Sequence, residues 1–418
     1  MHASPLAARG SAHDSPGEPR GMLGFLLLLF ALSCVFDPAD RVLSFKVWLF
    51  LLCWAVTFCA RTFSRMQAGV SLGLLIYTLL FILIPVLSIG RFLLTNGSVL
   101  FEGFSLLKGY LLITLVPMLV LNRINLLPRL CAVLTVLALT VIGVFIAMRL
   151  DPDIYAVMTL FGQSTGIALV GKQDYGSGVT LLQVYFVTTP MLVISIAHYF
   201  SRAHSDPRPT AKRLFWGLVV INVVGMLLAG TRNNILVSVL LPIALSVIYA
   251  RNKTIGALFS LAVVAALAVV FADELGAFFD PTETSNSIKL SLLEDYSRIF
   301  SDPLSLIFGQ GLGAYYHWES GSDFYITELT YLELVRNFGL LGAVVMLGLL
   351  LFPVGHAFAA NRSRGDKAIA LAYAFYLAIC ATNPNLFNSM GILILSVILG
   401  NIFLPDGNKE KSSTRGRS

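Results

Sequence analysis

Long apolar runs recur along this chain, many of them about as long as a helix needs to cross a bilayer, and this recurrence constrains the fold more than any other feature. Twelve fall near residues 21–36, 43–60, 69–89, 104–121, 129–149, 178–200, 214–230, 235–250, 254–272, 338–358, 367–382 and 389–404. Only 12% of the side chains are charged, against about 25% in soluble proteins, too few to keep a compact surface wet. The expectation is an all-α polytopic membrane protein with about 12 transmembrane helices. Such spans would use roughly 240 residues, which leaves more than a third of the chain for tails and loops. The pattern divides the sequence into a polar tail over 1–20, a membrane domain over 21–404 and a basic tail over 405–418. The first run ends in Ala31-Leu32-Ser33-Cys34, a poor match to a lipoprotein-type cleavage site, and further spans follow at once, so it reads as a retained helix.

The net charge of +6 has to be located before it is interpreted. If both termini are cytoplasmic, 19 of the 29 basic residues fall in cytoplasmic segments and seven on the opposite side. Lys46, Lys108 and Arg149 lie within or at the end of spans, where a long stem snorkels to the interface. Acidic residues run the other way, 6 inside and 17 outside. This is the bias that orients membrane proteins, and it leaves no basic surface for a nucleic acid. The five cysteines lie in apolar runs without paired spacing or histidine clusters, so neither a disulfide framework nor a metal site is indicated.

Two external segments exceed simple turns: residues 150–177, rich in glycine, and residues 273–337, a large loop between the ninth and tenth helices. In the second, Ser287 to Phe300 repeats apolar residues at helical spacing and Asp302-Pro303 breaks the helix. Gly309-Gln310-Gly311-Leu312-Gly313 then reads as a flexible turn, and an aromatic patch follows.

The external basic residues carry the candidate chemistry. Arg232, in Gly230-Thr231-Arg232-Asn233-Asn234, sits in a tight turn on the side that avoids positive charge, where a diphosphate would suit a guanidinium and a nearby carboxylate would serve as an ordinary ion-pair partner. Arg298 has Glu294 and Asp295 beside it, so a solvated salt bridge and ligand binding are equal readings. Between Thr327 and Gly342, Glu328, Tyr331 and Val335 share one helix face, with Leu332 and Arg336 on the next stripe. Near apolar surface Glu328 would become a stronger base than in water; the plainer reading is a carboxylate at a helix N-terminus. His317, the sole external histidine, is a second candidate base within an aromatic run that suits sugar stacking or an interfacial belt. No nucleotide loop or nucleophile elbow appears, and no cofactor is expected. A transporter or flippase would place functional charges in mid-helix; Lys108 with Glu102 comes nearest and reads as an interface pair.

Three motifs in this order, the Gly230–Asn234 turn opening a span, Gly309-x-Gly311-x-Gly313 after the helix bearing Arg298, and Glu328-x-x-Tyr331-Leu332-x-Leu334-x4-Gly339-x-x-Gly342, resemble those of bacterial O-antigen ligases and Wzy-type O-antigen or exopolysaccharide polymerases. The resemblance covers most of the chain from about residue 170 onward. It implies a GT-C-like glycosyltransferase of the bacterial inner membrane, with both termini cytoplasmic, acting at the periplasmic face. Its partners would be an undecaprenyl-diphosphate-linked glycan, the bilayer and, as a candidate protein partner, a chain-length regulator. Ligases commonly carry histidine where this chain has Glu328 and a small amide or hydroxyl residue where it has Leu329, a departure that favours a polymerase over a ligase acting on lipid A core or protein. The resemblance implies that Arg232, helped by Arg298, holds the departing diphosphate while Glu328 takes the proton from the acceptor hydroxyl, without a metal and with inversion. Tyr331 and Arg336 would orient these groups.

Overall fold

The computed structural model describes residues 18–42, 45–59, 71–96, 101–174, 180–270, 284–317, 323–324, 327–359 and 362–404; most of the first tail and all of the last lie outside them. Five helices and a helical pair open the chain: α1 (Glu18–Phe36), α2 (Lys46–Cys59), α3 (Leu72–Asn96), α4 (Phe101–Leu111) joined through one 3-10 turn to α5 (Leu115–Asn122), α6 (Leu127–Leu150) and α7 (Pro152–Thr165). An antiparallel hairpin of β1 (Ala168–Asp174) and β2 (Thr180–Phe186) follows. Then come α8 (Leu192–Ser205), α9 (Pro209–Leu228), α10 (Arg232–Tyr249), α11 (Lys253–Val270), α12 (Thr284–Phe300) and α13 (Pro303–Phe308). A two-residue hairpin, β3 (Tyr316–His317) with β4 (Asp323–Phe324), precedes α14 (Thr330–Ala359), α15 (Arg364–Cys380) and α16 (Ser389–Phe403).

Among the described residues six segments are long and apolar enough to cross a membrane unaided: Leu72–Thr95, Gly103–Asn122, Leu127–Leu150, Pro209–Leu228, Arg232–Tyr249 and Thr330–Ala359. Gly21–Phe36, Lys46–Cys59, Lys253–Ala266 and Ser389–Phe403 are shorter apolar helices. The apolar run at 178–200 is not one helix. Its first part pairs as β2, a 3-10 turn at Thr189–Met191 redirects the chain, and only then does α8 begin. Short runs rich in β-branched and aromatic residues, such as Val184-Tyr185-Phe186, are ambiguous between strand and helix by hydrophobicity alone. Among the described residues the molecule is therefore helical with two small antiparallel hairpins.

The connections sort to two ends of the bundle. At one, Lys46 at the head of α2 reaches Ser389 at the head of α16, the Thr330 hydroxyl at the head of α14 donates to the Asn383 carbonyl after α15, and the Asn385 amide reaches the Val187 carbonyl after β2. At the other, Arg129 donates to the Gly24 carbonyl, Asn122 to Thr57, and Asn401 to Asp366. The core centres on α16, buried from Ser389 to Ile402 and packed by α1, α5 and α14. A helix apolar on every side has to be enclosed by others.

Candidate functional site

The Gly230–Asn234 turn is built residue by residue. Gly230 takes a positive φ of 73° and lies so close to Gln183 of β2 that a side chain would collide. Thr231 N-caps α10, its hydroxyl accepting from the Asn234 amide at 3.4 Å. The Asn233 side chain donates to Thr382 at 2.7 Å and that of Asn234 to Thr189 at 3.1 Å, which fastens the start of α10 to the α15–α16 connection and to the turn before α8. Arg232 is thereby the first residue of α10, half-buried, with its guanidinium 3.4 Å from the Asn286 side-chain oxygen of α12.

The second constellation lies on the first turns of α14. Glu333 is buried and accepts hydrogen bonds from Tyr296 (2.8 Å), Thr327 (3.1 Å), Asn337 (2.9 Å) and Arg336. Burial raises the Tyr296 phenol well above its usual range and the adjoining Glu333 carboxylate raises it further, so it remains a donor. Arg336 is 0% exposed and divides its guanidinium between Glu333 and the Ala314 carbonyl. Three residues on, α14 breaks at Gly339 (φ 68°, ψ 173°). The carbonyls loosened there are taken up: Arg336 accepts from the Gln310 amide and Asn337 from the Ser88 hydroxyl, which itself accepts from the Leu312 amide. Irregular backbone at membrane depth survives only when its polar groups are satisfied in this way.

The Gly309–Gly313 turn is accordingly a fitted part rather than the flexible turn its composition suggested. All three glycines have positive φ, and a Cβ on Gly309 or Gly311 would strike the α14 backbone or Phe92. Arg91 of α3 closes it, donating to the Gly309 carbonyl at 3.0 Å with its guanidinium over the Phe308 ring.

The residues singled out from sequence fall into distinct places. Glu328 is exposed, two residues before α14. Contacts from the Arg232 turn run to within two residues of it and to β2. Asn233 reaches Thr382, whose neighbour Asn383 accepts from Thr330; and Gly230 packs on Gln183, two residues from Tyr185. Burial pushes the Tyr185 phenol up to about 12, a shift that its hydrogen bond from Asn385 opposes. Arg298 points elsewhere: its side chain is 66% exposed and pairs with Asp295 at 3.4 Å. Tyr331 is a packing residue, its hydroxyl donating to the Leu377 carbonyl at 2.7 Å. Arg336 is sealed behind Glu333 and has no exposed surface for a substrate. The His317 backbone belongs to β3, while its side chain, Trp318 and Tyr325 lie outside the described residues.

Glu333 and Tyr296 were not singled out from sequence, although Glu333-x-x-Arg336-Asn337 has the spacing that joins side chains one helical turn apart. Glu333 also lines a cavity of about 470 Å³ between α2, α4, the head of α14 and the α15–α16 connection. Lys46, Lys108, Asn337 and Asn388 contribute polar groups to it; Arg232 and Glu328 do not line it. Helix α12 relates the two places, touching Arg232 through Asn286 and Glu333 through Tyr296, ten residues or about 15 Å apart along the helix. Among the described residues no three His, Cys, Asp or Glu side chains converge as a metal-binding group.

No family model matches the chain. Over 118 residues, 28% of its length, it is 26% identical to an O-antigen polymerase of Shigella flexneri, and the matched stretch spans 29% of that protein. The likeness is to a polymerase.

Proposed function

We propose that this protein is a membrane glycosyltransferase that polymerises lipid-diphosphate-linked oligosaccharide repeats into O-antigen or exopolysaccharide at the periplasmic face of the inner membrane. The partial similarity to an O-antigen polymerase supports the class. The observation that carries the site is the placing of Arg232. A cation on the first residue of a helix has the wrong sign for the helix dipole, yet Thr231, Asn233 and Asn234 are all used to hold it there. The helix N-terminus and the guanidinium both favour an anion at that point.

In this reading Arg232 grips the diphosphate of the donor and offsets the charge that grows as the glycosidic bond breaks. Glu328, exposed at the same end of the bundle, takes the proton from the acceptor hydroxyl, which attacks the anomeric carbon from the face opposite the leaving group and inverts it. Arg298, a helper to Arg232 in the sequence reading, stands at the margin of this scheme, because its guanidinium is paired with Asp295 and its side chain is largely exposed. Tyr331 and Arg336 hold the frame on which Glu328 stands.

Deletion of the gene followed by gel analysis of surface glycan tests the assignment. A strain lacking a polymerase leaves single repeat units on the surface lipid. Long chains stranded on the carrier would show a ligase instead. In complemented strains Glu328→Gln and Arg232→Ala should each shorten the polymer to single repeats at normal protein level; wild-type length in both refutes the mechanism.

A further inference from the structure

The cavity beside Glu333 carries a positive locus separate from Arg232. Lys108 lies in α4 within the apolar segment Gly103–Asn122, where an ionisable side chain is retained for a reason. The structure does more than let its stem snorkel: Lys108 is exposed and lines the 470 Å³ cavity. Its backbone is held rigidly. Any Cβ on Gly109 would collide with the Phe387 carbonyl, and the buried Tyr110 ring stacks on Phe387 at 5.2 Å and meets Phe338 edge-on at 6.0 Å. The root of the Lys108 side chain is thereby fixed at the cavity wall, within reach of which its ammonium stays.

The rest of the wall says what that place suits. Lys46 adds a second positive charge, its Nζ fixed by the Asp37 and Pro38 carbonyls at 2.7 Å each. The carboxylates on the wall are Asp40 and Glu333; Glu333 is already matched by Arg336 and three further donors, and Asp40 accepts from the Lys46 amide. Beside the charges, on the same two helices, the wall is apolar, formed by Val47, Phe50, Leu51, Leu106 and Leu111. Leu51 is 50% and Leu111 39% exposed on the bundle exterior, so this side faces hydrocarbon. Cations at one end and an apolar flank towards the bilayer fit an amphiphile with an anionic head.

We propose that this cavity is a lipid-phosphate site whose phosphate ligand is Lys108, separate from the one at Arg232. The proposal rests on the polymerase reading for the identity of the lipid as an isoprenoid carrier. It also gives that reading something it needs, because joining two carrier-linked glycans requires two lipid heads to be held at once.

The test is native mass spectrometry of the purified full chain titrated with undecaprenyl diphosphate, compared with undecaprenol and phosphatidylglycerol. The wild type should take up two diphosphate lipids. Lys108→Ala should lose one, with affinity at that site falling roughly tenfold or more, as for a charge-assisted contact, while Lys108→Arg restores it. Leu106→Trp, which fills the apolar flank and leaves the charge, should lose the same lipid. Unchanged stoichiometry and affinity in Lys108→Ala would overturn the proposal, as would uptake of undecaprenol equal to that of the diphosphate. Lys108-dependent binding of phosphatidylglycerol at equal strength would show a bulk-lipid site and overturn the carrier assignment. A deletion strain with normal polymer would sink the polymerase reading and leave this binding result standing.

Discussion

Glu333 and Glu328 are five residues apart and call for opposite outcomes on substitution. Glu333 shares a buried network with a fully enclosed guanidinium, and removing one partner of a buried ion pair strands the other charge. Glu333→Ala should therefore cost about 3–5 kcal/mol, read as a lowered unfolding midpoint of the purified protein in detergent, and pairing it with Arg336→Met should recover part of the loss. Glu328→Gln, on an exposed side chain, should leave that midpoint unchanged while polymer formation falls by about 100-fold, the scale of a lost general base. If Glu333→Ala proves as stable as the wild type, the network is not holding the head of α14. Arg232 was legible because, in the orientation that the charge distribution implies, it falls on the side that avoids positive residues. Glu333 stayed hidden because only half of its network is local: Arg336 and Asn337 follow at helical spacing, but Tyr296 comes from α12 and Thr327 from the residues before α14, and burial cannot be read from the spacing alone.

The elements carry a second lesson, in the glycines. Gly339 breaks α14 with a positive φ, and an added Cβ would run into the Ile307 carbonyl, whereas Gly348 and Gly355 further along the same helix have open space around them. Gly339→Ala should destabilise the protein strongly, because it combines left-handed strain with a backbone clash. Gly355→Ala should be neutral or stabilising by up to about 1 kcal/mol, since alanine is the better helix former. Detergent unfolding midpoints of the two variants decide it; equal midpoints would mean that the kink is not a fixed feature. The amphipathic repeat of α12 and its stop at Asp302-Pro303 were readable from spacing, and the structure adds that Asp302 caps α13 by accepting from the Leu304 and Ser305 amides. The fitted character of the Gly309–Gly313 turn was not readable. Glycine-rich composition signals permitted backbone angles and is silent on whether a neighbouring helix has been shaped to meet them.

At the scale of the molecule, the alternation of connections between two ends is the property most open to a direct check. The buried α16 has 15 residues and a length of roughly 22 Å, short of the ~30 Å hydrocarbon thickness, which an enclosed helix tolerates because protein, not lipid, meets its ends. Its N-terminal amides are met by the Asn388 side chain. Counting spans by hydrophobic length alone therefore misjudges such an element, whereas the sorting of loops does not depend on it. Ser164 lies in the last turn of α7 at the end that gathers Arg232, Thr330 and Ser389, and Arg251 lies between α10 and α11 at the other; both are exposed. In a background without the five native cysteines, Ser164→Cys should react with a membrane-impermeant maleimide added to cells whose outer barrier has been opened. Arg251→Cys should react only after the inner membrane is broken, because the basic connections are held on the cytoplasmic side. Labelling of Arg251→Cys alone from outside would put Arg232 and Glu328 in the compartment that lacks the proposed glycan and would remove the basis for the polymerase mechanism, whereas labelling of both would overturn the sorting of the two connections to opposite sides.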